Sequence, residues 1–171
     1  TLNYSVIERK IKEYLAYKFL NYKTVKTISL SEIQNFEIQK RKLVPLTDIF
    51  EIKQGKSLEL INCEEVENGI CFVSRTSTNN GIAARVNELD YLDPMPAGTI
   101  SVALSGSVLS SFYQEEPFYT AFHIACLYPK IKLTKEEMLF YCAVIEHNKY
   151  RYNFGRQANK TLKNILVPKI K

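Results

Sequence analysis

The spacing of apolar and polar positions changes character along this chain. From residue 3 to 22, Tyr4, Ile7, Ile11, Tyr14, Leu15, Lys18 and Tyr22 recur at three-and-four intervals, with Val6 and Phe19 widening the stripe. Glu8, Arg9, Lys10, Lys12 and Glu13 populate the other side. This pattern predicts an amphipathic helix that needs a surface for its stripe, either the chain's own core or another subunit. Residues 23–43 are mixed: Ile28–Ile33 reads as a short strand or as a turn entering a helix. The basic run Lys40-Arg41-Lys42, placed before Leu43-Val44-Pro45-Leu46, sets a boundary near residue 43.

Beyond that boundary the apolar runs shorten to strand length. Thr47–Lys53 begins as a helical turn or a strand and runs into Gln54-Gly55-Lys56-Ser57. Ile70–Ser74 and Ile82–Val86 have β character, and Asn80-Gly81 between them is a turn signal, so Arg75–Gly81 becomes a hairpin tip. Thr99–Leu104 reads as a buried strand, Ser105-Gly106-Ser107 breaks it, and Val108–Tyr113 continues with β character. Phe118-Tyr119-Thr120 leads into a strand over Ala121–Leu127, where His123 alternates with apolar residues as a structural histidine would. Thr134-Lys135-Glu136-Glu137 is a capping box, Thr134 accepting from the backbone and Glu137 reaching back. It opens a helix to about Asn148 with Met138, Tyr141, Cys142 and Ile145 as its apolar stripe. Thr161–Val167 brings a short element back, and Pro168 ends it. The predicted fold class is α+β (mixed α/β): a β-rich unit over 44–171 with few helices, preceded by a helical leader or linker over 1–43.

Composition narrows the function. The 171 residues suffice for one domain with a real core, or one domain with an appended element. Their net charge of +5 is unevenly held. Residues 1–43 carry nine Lys/Arg against four Asp/Glu, residues 44–140 seven against thirteen, and residues 141–171 seven against one. Basic ends around an acidic middle suit a polyanion met on one surface, and argue against indiscriminate coating of nucleic acid. Two solvated helical faces would give the same sums. Cys63, Cys71, Cys126 and Cys142 form no C-x-x-C pair, which predicts buried free thiols in a reducing, cytoplasmic setting. No apolar run approaches membrane-spanning length, and the N-terminus lacks a signal-peptide pattern. The first residue, Thr1, is not Met, which predicts a fragment of a longer protein.

The densest chemistry lies in Lys149-Tyr150-Arg151-Tyr152-Asn153-Phe154-Gly155-Arg156-Gln157-Ala158-Asn159-Lys160. It interleaves cations, rings and amides with no acidic residue. Arg forks onto phosphate or guanine, Asn and Gln pair with adenine, and aromatic rings stack. A solvated basic turn after a helix is the competing reading. Catalytic motifs fail where they are tested. Gly55-Lys56-Ser57 lacks the earlier Gly of a phosphate loop, because that position holds Phe50. Ser105-Gly106-Ser107 lacks the glycine frame of a hydrolase nucleophile turn. There is no Asn-Pro-Pro-Tyr-type tetrapeptide, Glu64, Glu65 and Glu67 have no matching Lys for a nuclease cluster, and Cys63 and Cys71 lack zinc-ligand spacing.

The order of these features resembles the DNA specificity (target recognition) domain of type I restriction-modification specificity subunits and of related type IIG systems. The resemblance is carried by L-T-D-I-F-E-I-K-Q-G at 46–55, R-T-S-T-N-N-G-I at 75–82 and P-A-G-T-I-S-V-A-L-S-G-S at 96–107. It continues in P-F-Y-T-A-F-H-I-A at 117–125, the helix after L-T-K-E-E, and Y-N-F-G-R-Q-A-N-K-T-L-K-N-I-L-V-P at 152–168. It implies an α/β unit without catalytic residues that reads one half of a bipartite target from the major groove of duplex DNA. A methyltransferase subunit or domain would supply adenine methylation with S-adenosylmethionine, and a motor-nuclease subunit or domain would cut unmodified sites. A second recognition domain, spaced by paired long helices, usually accompanies the first. This chain shows a single recognition unit and no long heptad spacer, and residues 1–43 match poorly.

The expected contacts fall into two layers. Lys53, Lys56, Lys149, Arg151, Lys160 and Lys163 would hold phosphates and make binding salt-dependent. Arg75, Thr76, Ser77, Asn79, Asn80, Arg156, Gln157 and Asn159 would read or approach bases. Gly55, Ser57, Tyr119, Tyr150 and Tyr152 complete the contact set, with no metal and no cofactor in the chain itself. Two other classes stay open: a protein-interaction module docking on a methyltransferase subunit through the helix over 3–22, and an RNA-binding module stacking unpaired bases on Tyr150, Tyr152 and Phe154.

Overall fold

The computed structural model describes Arg9, residues 42–152 and residues 157–170. The helix expected over 3–22 and the mixed segment after it lie, Arg9 apart, outside the described residues, as do residues 153–156. β1 (Leu43–Pro45) leads directly into one helical turn, α1 (Leu46–Ile49), and then β2 (Phe50–Gln54). β3 (Glu65–Val73) and β4 (Ile82–Val86) form the expected hairpin, and β5 (Thr99–Ala103) and β6 (Ser111–Gln114) form a second. β7 (Phe118–Thr120), β8 (Ile124–Pro129), α2 (Lys135–His147) and β9 (Leu166–Pro168) complete the order. Among the described residues the result is a mixed α+β fold, rich in sheet with few helices.

The strands among the described residues form three sheets. The larger one runs β2-β8-β5-β6, all antiparallel. The smaller one runs β4-β3-β7, with β3 and β7 parallel. β1 and β9 form a two-stranded ribbon. Period-two alternation assigns each side chain to a layer. Ile100 and Val102 of β5, with Ala125 and Leu127 of β8, face the core that contains α2. Ala103, Ile124 and Cys126, from the same strands, face the smaller sheet and meet Cys71, Val73, Ile82 and Phe118. Every residue of β5 is buried, as expected of a central strand covered on both faces. The outer face of the smaller sheet buries Phe72, Val86 and Tyr119 under Leu58, Leu60, Leu89 and Leu92 from the flanking loops.

The sequence places most elements correctly and misses two. The strand expected over Ala121–Leu127 begins only at Ile124, and His123 has a left-handed φ of 59°. The cause is topological: β7 belongs to the smaller sheet and β8 to the larger, so the chain must break at residues 121–123 to change sheets. In the same way, β6 starts at Ser111 rather than Val108, after a turn in which Leu109 has φ 60°. The capping box at Thr134 forms as read, with Glu137 N–H donating to Thr134 Oγ1 at 3.3 Å and Thr134 N–H to Glu137 Oε2 at 2.7 Å. The helix it opens buries more than the expected stripe. Leu139, Phe140, Ala143 and Val144 are buried with Met138, Tyr141, Cys142 and Ile145, so α2 is a core helix on every side.

Candidate nucleic-acid interface

Five loops meet at one end of the sheets: 55–58 after β2, 74–81 between β3 and β4, 104–110 between β5 and β6, 121–123 between β7 and β8, and 157–160. Backbone and side-chain hydrogen bonds tie them into one surface. Gly55 N–H donates to Ile124 O at 2.9 Å and Lys56 N–H to Thr120 Oγ1 at 2.6 Å. Leu104 N–H donates to His123 O at 2.8 Å and Ala158 N–H to Leu104 O at 2.9 Å. Ser107 N–H reaches Arg75 O at 3.2 Å, while Arg75 Nη1 reaches Ser105 Oγ at 3.3 Å. The turn Asn148–Arg151 joins the same end, because Lys149 Nζ donates to Ser110 Oγ at 3.0 Å. These six segments contain Lys56, Arg75, Lys149, Arg151 and Lys160 and no Asp or Glu.

The opposite end has the reverse chemistry. Residues 64–68, 87–93 and 115–117 hold Glu64, Glu65, Glu67, Glu88, Asp90, Asp93, Glu115 and Glu116 and no Lys or Arg. Arg85 reaches Glu116 at 3.0 Å and Lys135 pairs with Glu115 from neighbouring elements. β3 runs from Glu65 at the acidic end to Val73 at the loop end. β3 is not regular over that length: Glu65 and Ile70 both lie opposite Val86, so residues 66–69 bulge out at the acidic end and Ile70–Val73 carries the regular pairing toward the loops.

Two clefts flank the segment after residue 157. One, of about 390 Å³, gathers Lys53, Gln54, Lys130, Asn159 and Lys163. The other, of about 430 Å³, is bordered by Arg151, Tyr152, Gln157, Thr161 and Asn164. Lys53, Asn159 and Lys163, distant in sequence, are thus brought together, as are Arg151, Tyr152 and Gln157. Lys53 Nζ lies 4.7 Å from the Tyr128 ring centroid and 3.5 Å from Glu51. Both partners are exposed, so the pair leaves Lys53 able to exchange Glu51 for a phosphate. Tyr150 is exposed and takes Arg151 against its ring at 5.4 Å. Tyr152 Oη pairs with Thr161 Oγ1 at 2.7 Å, and Asn159 Nδ2 donates to Gln157 Oε1 at 2.9 Å. Lys160 is exposed on the same segment, and Arg156 lies outside the described residues.

The Gly-Lys-Ser turn is shaped by close approach. A Cβ on Gly55 would sit 2.2 Å from Thr120 Oγ1, so only glycine lets this loop lie on the end of β7. Ser57 follows with φ 57°. In the hairpin tip, Arg75, Ser77 and Asn79 are exposed and Thr76 is half-buried, its hydroxyl 3.1 Å from that of Thr78. Burial raises the Cys126 thiol to about 12, against a downward pull from Lys56, so it stays neutral at physiological pH. Among the described residues no group of three or more His, Cys, Asp or Glu is placed to hold a metal ion.

Three expected contacts have structural partners. Tyr119 is completely buried; its hydroxyl accepts from Leu89 N–H at 3.0 Å and donates to Leu92 O at 2.8 Å, pinning the 89–92 loop to the smaller sheet. Asn80 is buried with φ 53°; its amide donates to Tyr113 O at 3.0 Å, and Gln114 Nε2 donates to Asn80 O at 3.0 Å and to Ser101 Oγ at 2.9 Å. That network fastens the hairpin tip to β6. Lys149 is ion-paired to Glu146, itself buried, besides its bond to Ser110, and so fixes a loop rather than standing free for phosphate. Sequence reasoning passed over Lys130, which lines the first cleft, and the Ser105–Ser107 loop, which supports Arg75. The only sequence signal for either was the Ser-Gly-Ser break in the strand.

Comparison with known proteins bears on the fold and the family. A curated relative, the type II restriction enzyme BgcI specificity subunit S.BcgI of Heyndrickxia coagulans, is 24% identical over 124 residues, 71% of this chain and 36% of that protein. The fold matches the type I restriction-modification system S subunit from M. genitalium with a TM-score of 0.60 and 20% identity, covering 98% of this chain and 44% of that one. It also matches the HsdS subunit from Thermoanaerobacter tengcongensis with a TM-score of 0.58 and 14% identity, over 95% of this chain and 40% of that one. The chain therefore spans less than half the length of each of these proteins. Residues 38–170 match the type I restriction modification DNA specificity domain, and the chain belongs to that family.

Proposed function

We propose that this chain docks on duplex DNA with its loop end and reads one half of a bipartite target through the major groove. The observation that supports this most is the chemical polarity of the domain: the six loop-end segments hold cations, amides and hydroxyls and no carboxylate, with Glu51 and Glu146 beside them paired to Lys53 and Lys149, and the other end holds eight carboxylates. A phosphate backbone is attracted to the first and repelled by the second. Lys53, Lys56, Arg151, Lys160 and Lys163 hold phosphates in this reading. Arg75, Thr76, Ser77, Asn79, Gln157 and Asn159 approach base edges, and Arg156 joins them from the adjoining segment. The domain confers specificity and is not itself catalytic. Its role is to direct an adenine methyltransferase using S-adenosylmethionine, and a motor-nuclease, to the site in the cytoplasm. A second recognition domain supplies the other half-site. Residues 44–171 form the recognition domain, in keeping with a family match beginning at residue 38 and a first strand beginning at Leu43, and residues 1–43 are a leader or linker. No described helix is long and apolar enough to cross a membrane.

The test is selection from a pool of random duplex DNA at two salt concentrations. An enriched short motif that survives the higher salt supports base readout and supplies the half-site. Binding without enrichment that collapses with salt reduces the role to phosphate contact. No duplex binding at either salt overturns the proposal in favour of the protein-interaction module.

A further inference from the structure

We propose that Phe122 is the apolar base-reading residue of the loop end, packing against the 5-methyl group of a thymine in the major groove. The inference rests on the DNA-recognition reading above and adds to it a residue and a base chemistry. Phe122 sits at the middle of the three residues where the chain leaves β7 for β8, and its side chain is 46% exposed. Its neighbours in the chain are held on every side. Ala121 N–H donates to Val73 O at 2.8 Å, and Leu58 forms a bridge with Ala121. Leu104 N–H donates to His123 O at 2.8 Å, and His123 is kept in the sparsely populated left-handed region at φ 59°. Gly55 N–H on Ile124 and Lys56 N–H on Thr120 bring the Gly-Lys-Ser turn alongside. The ring is therefore presented by a fixed backbone between the Lys56 turn on one side and the Leu104–Ala158 pair on the other.

The surroundings decide what the ring suits. Leu104 and Leu109 of these loops are buried and Leu58 and Val108 half-buried, while Tyr150 of the neighbouring turn is exposed but has a hydroxyl, which accepts from Arg151 Nε at 3.0 Å; Phe122 is the purely apolar ring that these loops leave in water. An apolar group at the centre of a cationic and hydroxylic surface gains from contact with an apolar group on the partner while the rim meets polar ones. On the major-groove edge of DNA the exposed apolar group is the thymine methyl, and a phenylalanine ring is a fitting contact for it.

The experiment uses the half-site obtained from selection, with each thymine replaced in turn by deoxyuridine, which removes the methyl and leaves base pairing intact. The wild-type chain should lose about fourfold in affinity at one thymine, the worth of one buried methyl. Phe122→Ala should bind the thymine and uracil duplexes equally at that position, and Phe122→Leu should keep part of the discrimination. Thermal unfolding of each variant establishes that it folds. Phe122→Ala that discriminates as wild type does, or that loses affinity equally on random DNA, overturns the proposal while leaving the DNA-recognition reading intact. So does a selected site without thymine, or one where no deoxyuridine substitution matters to the wild type. A wild-type chain that enriches no motif overturns both.

Discussion

The loop end and the acidic end are built from the same strands, yet they treat polar residues differently. At the loop end, Arg75, Ser77, Asn79, Gln157 and Asn159 keep their side chains largely in solvent, on loops braced by backbone hydrogen bonds to one another. At the acidic end, the tie between Tyr119 and the 89–92 loop is internal, and Arg85 is spent on Glu116 and Gly69 O. One end keeps exposed donors on a stiff frame, engaged only with neighbouring loop groups (Arg75 on Ser105, Asn79 on Ile82 O, Asn159 on Gln157); the other ties its Arg85 to Glu116 and shows carboxylates. The difference gives the domain a direction, since a polyanion is favoured at one pole and disfavoured at the other.

That contrast can be broken at several points. The largest effect is expected from Tyr119→Ala, which empties a core site and frees the 89–92 loop. It should cost about 3–5 kcal/mol of stability by chemical denaturation, with DNA affinity per folded molecule unchanged. A loss under 1 kcal/mol would return Tyr119 to the list of accessible residues. Asn80→Ala should come next, at about 1–3 kcal/mol, because it removes the amide that donates to Tyr113 O and to Gln114 Oε1, although the bond from Gln114 Nε2 to the residue 80 backbone carbonyl survives. Its neighbour Asn79→Ala should cost less stability and act chiefly on DNA binding. Equal destabilisation by the two would erase the distinction between an inward and an outward asparagine in the same turn. Arg75→Ala should leave the melting temperature near that of wild type and weaken cognate binding by about 1–3 kcal/mol more than random DNA. An equal loss on both duplexes would make Arg75 a phosphate contact. The smallest effect is expected at the other pole. Glu88→Lys with Asp90→Lys should change stability by within about 0.5 kcal/mol, and DNA affinity in titrations should hold or rise slightly. A marked loss would mean that DNA reaches the acidic end.

The sequence reveals strands and helix far better than it reveals which polar residues are free. Alternation in Thr99–Leu104 and the capping box at Thr134 are local, and both appear in the structure. The sheet change at residues 121–123 is invisible to periodicity, since the apolar alternation runs on through a break set by which sheet each strand joins. Asn79 and Asn80 are indistinguishable as letters. Their roles separate only because Gln114, 34 residues on, receives one and not the other. Lys149 reads as a phosphate cation until Glu146 is seen buried beside it. The family resemblance carried the functional class because it rests on the order of motifs along the whole unit, which no single side chain determines.

The ribbon of β1 and β9 has a mechanical consequence. Leu43 lies opposite Pro168, and Lys169 N–H donates to Lys42 O at 2.9 Å, so the backbone enters and leaves the domain at a single point. A unit closed this way is held at one point: changes in its loops leave the separation of residues 42 and 169 untouched. A force applied at those residues would peel one short antiparallel pair, strand from strand, before it loaded the layers that hold the reading surface.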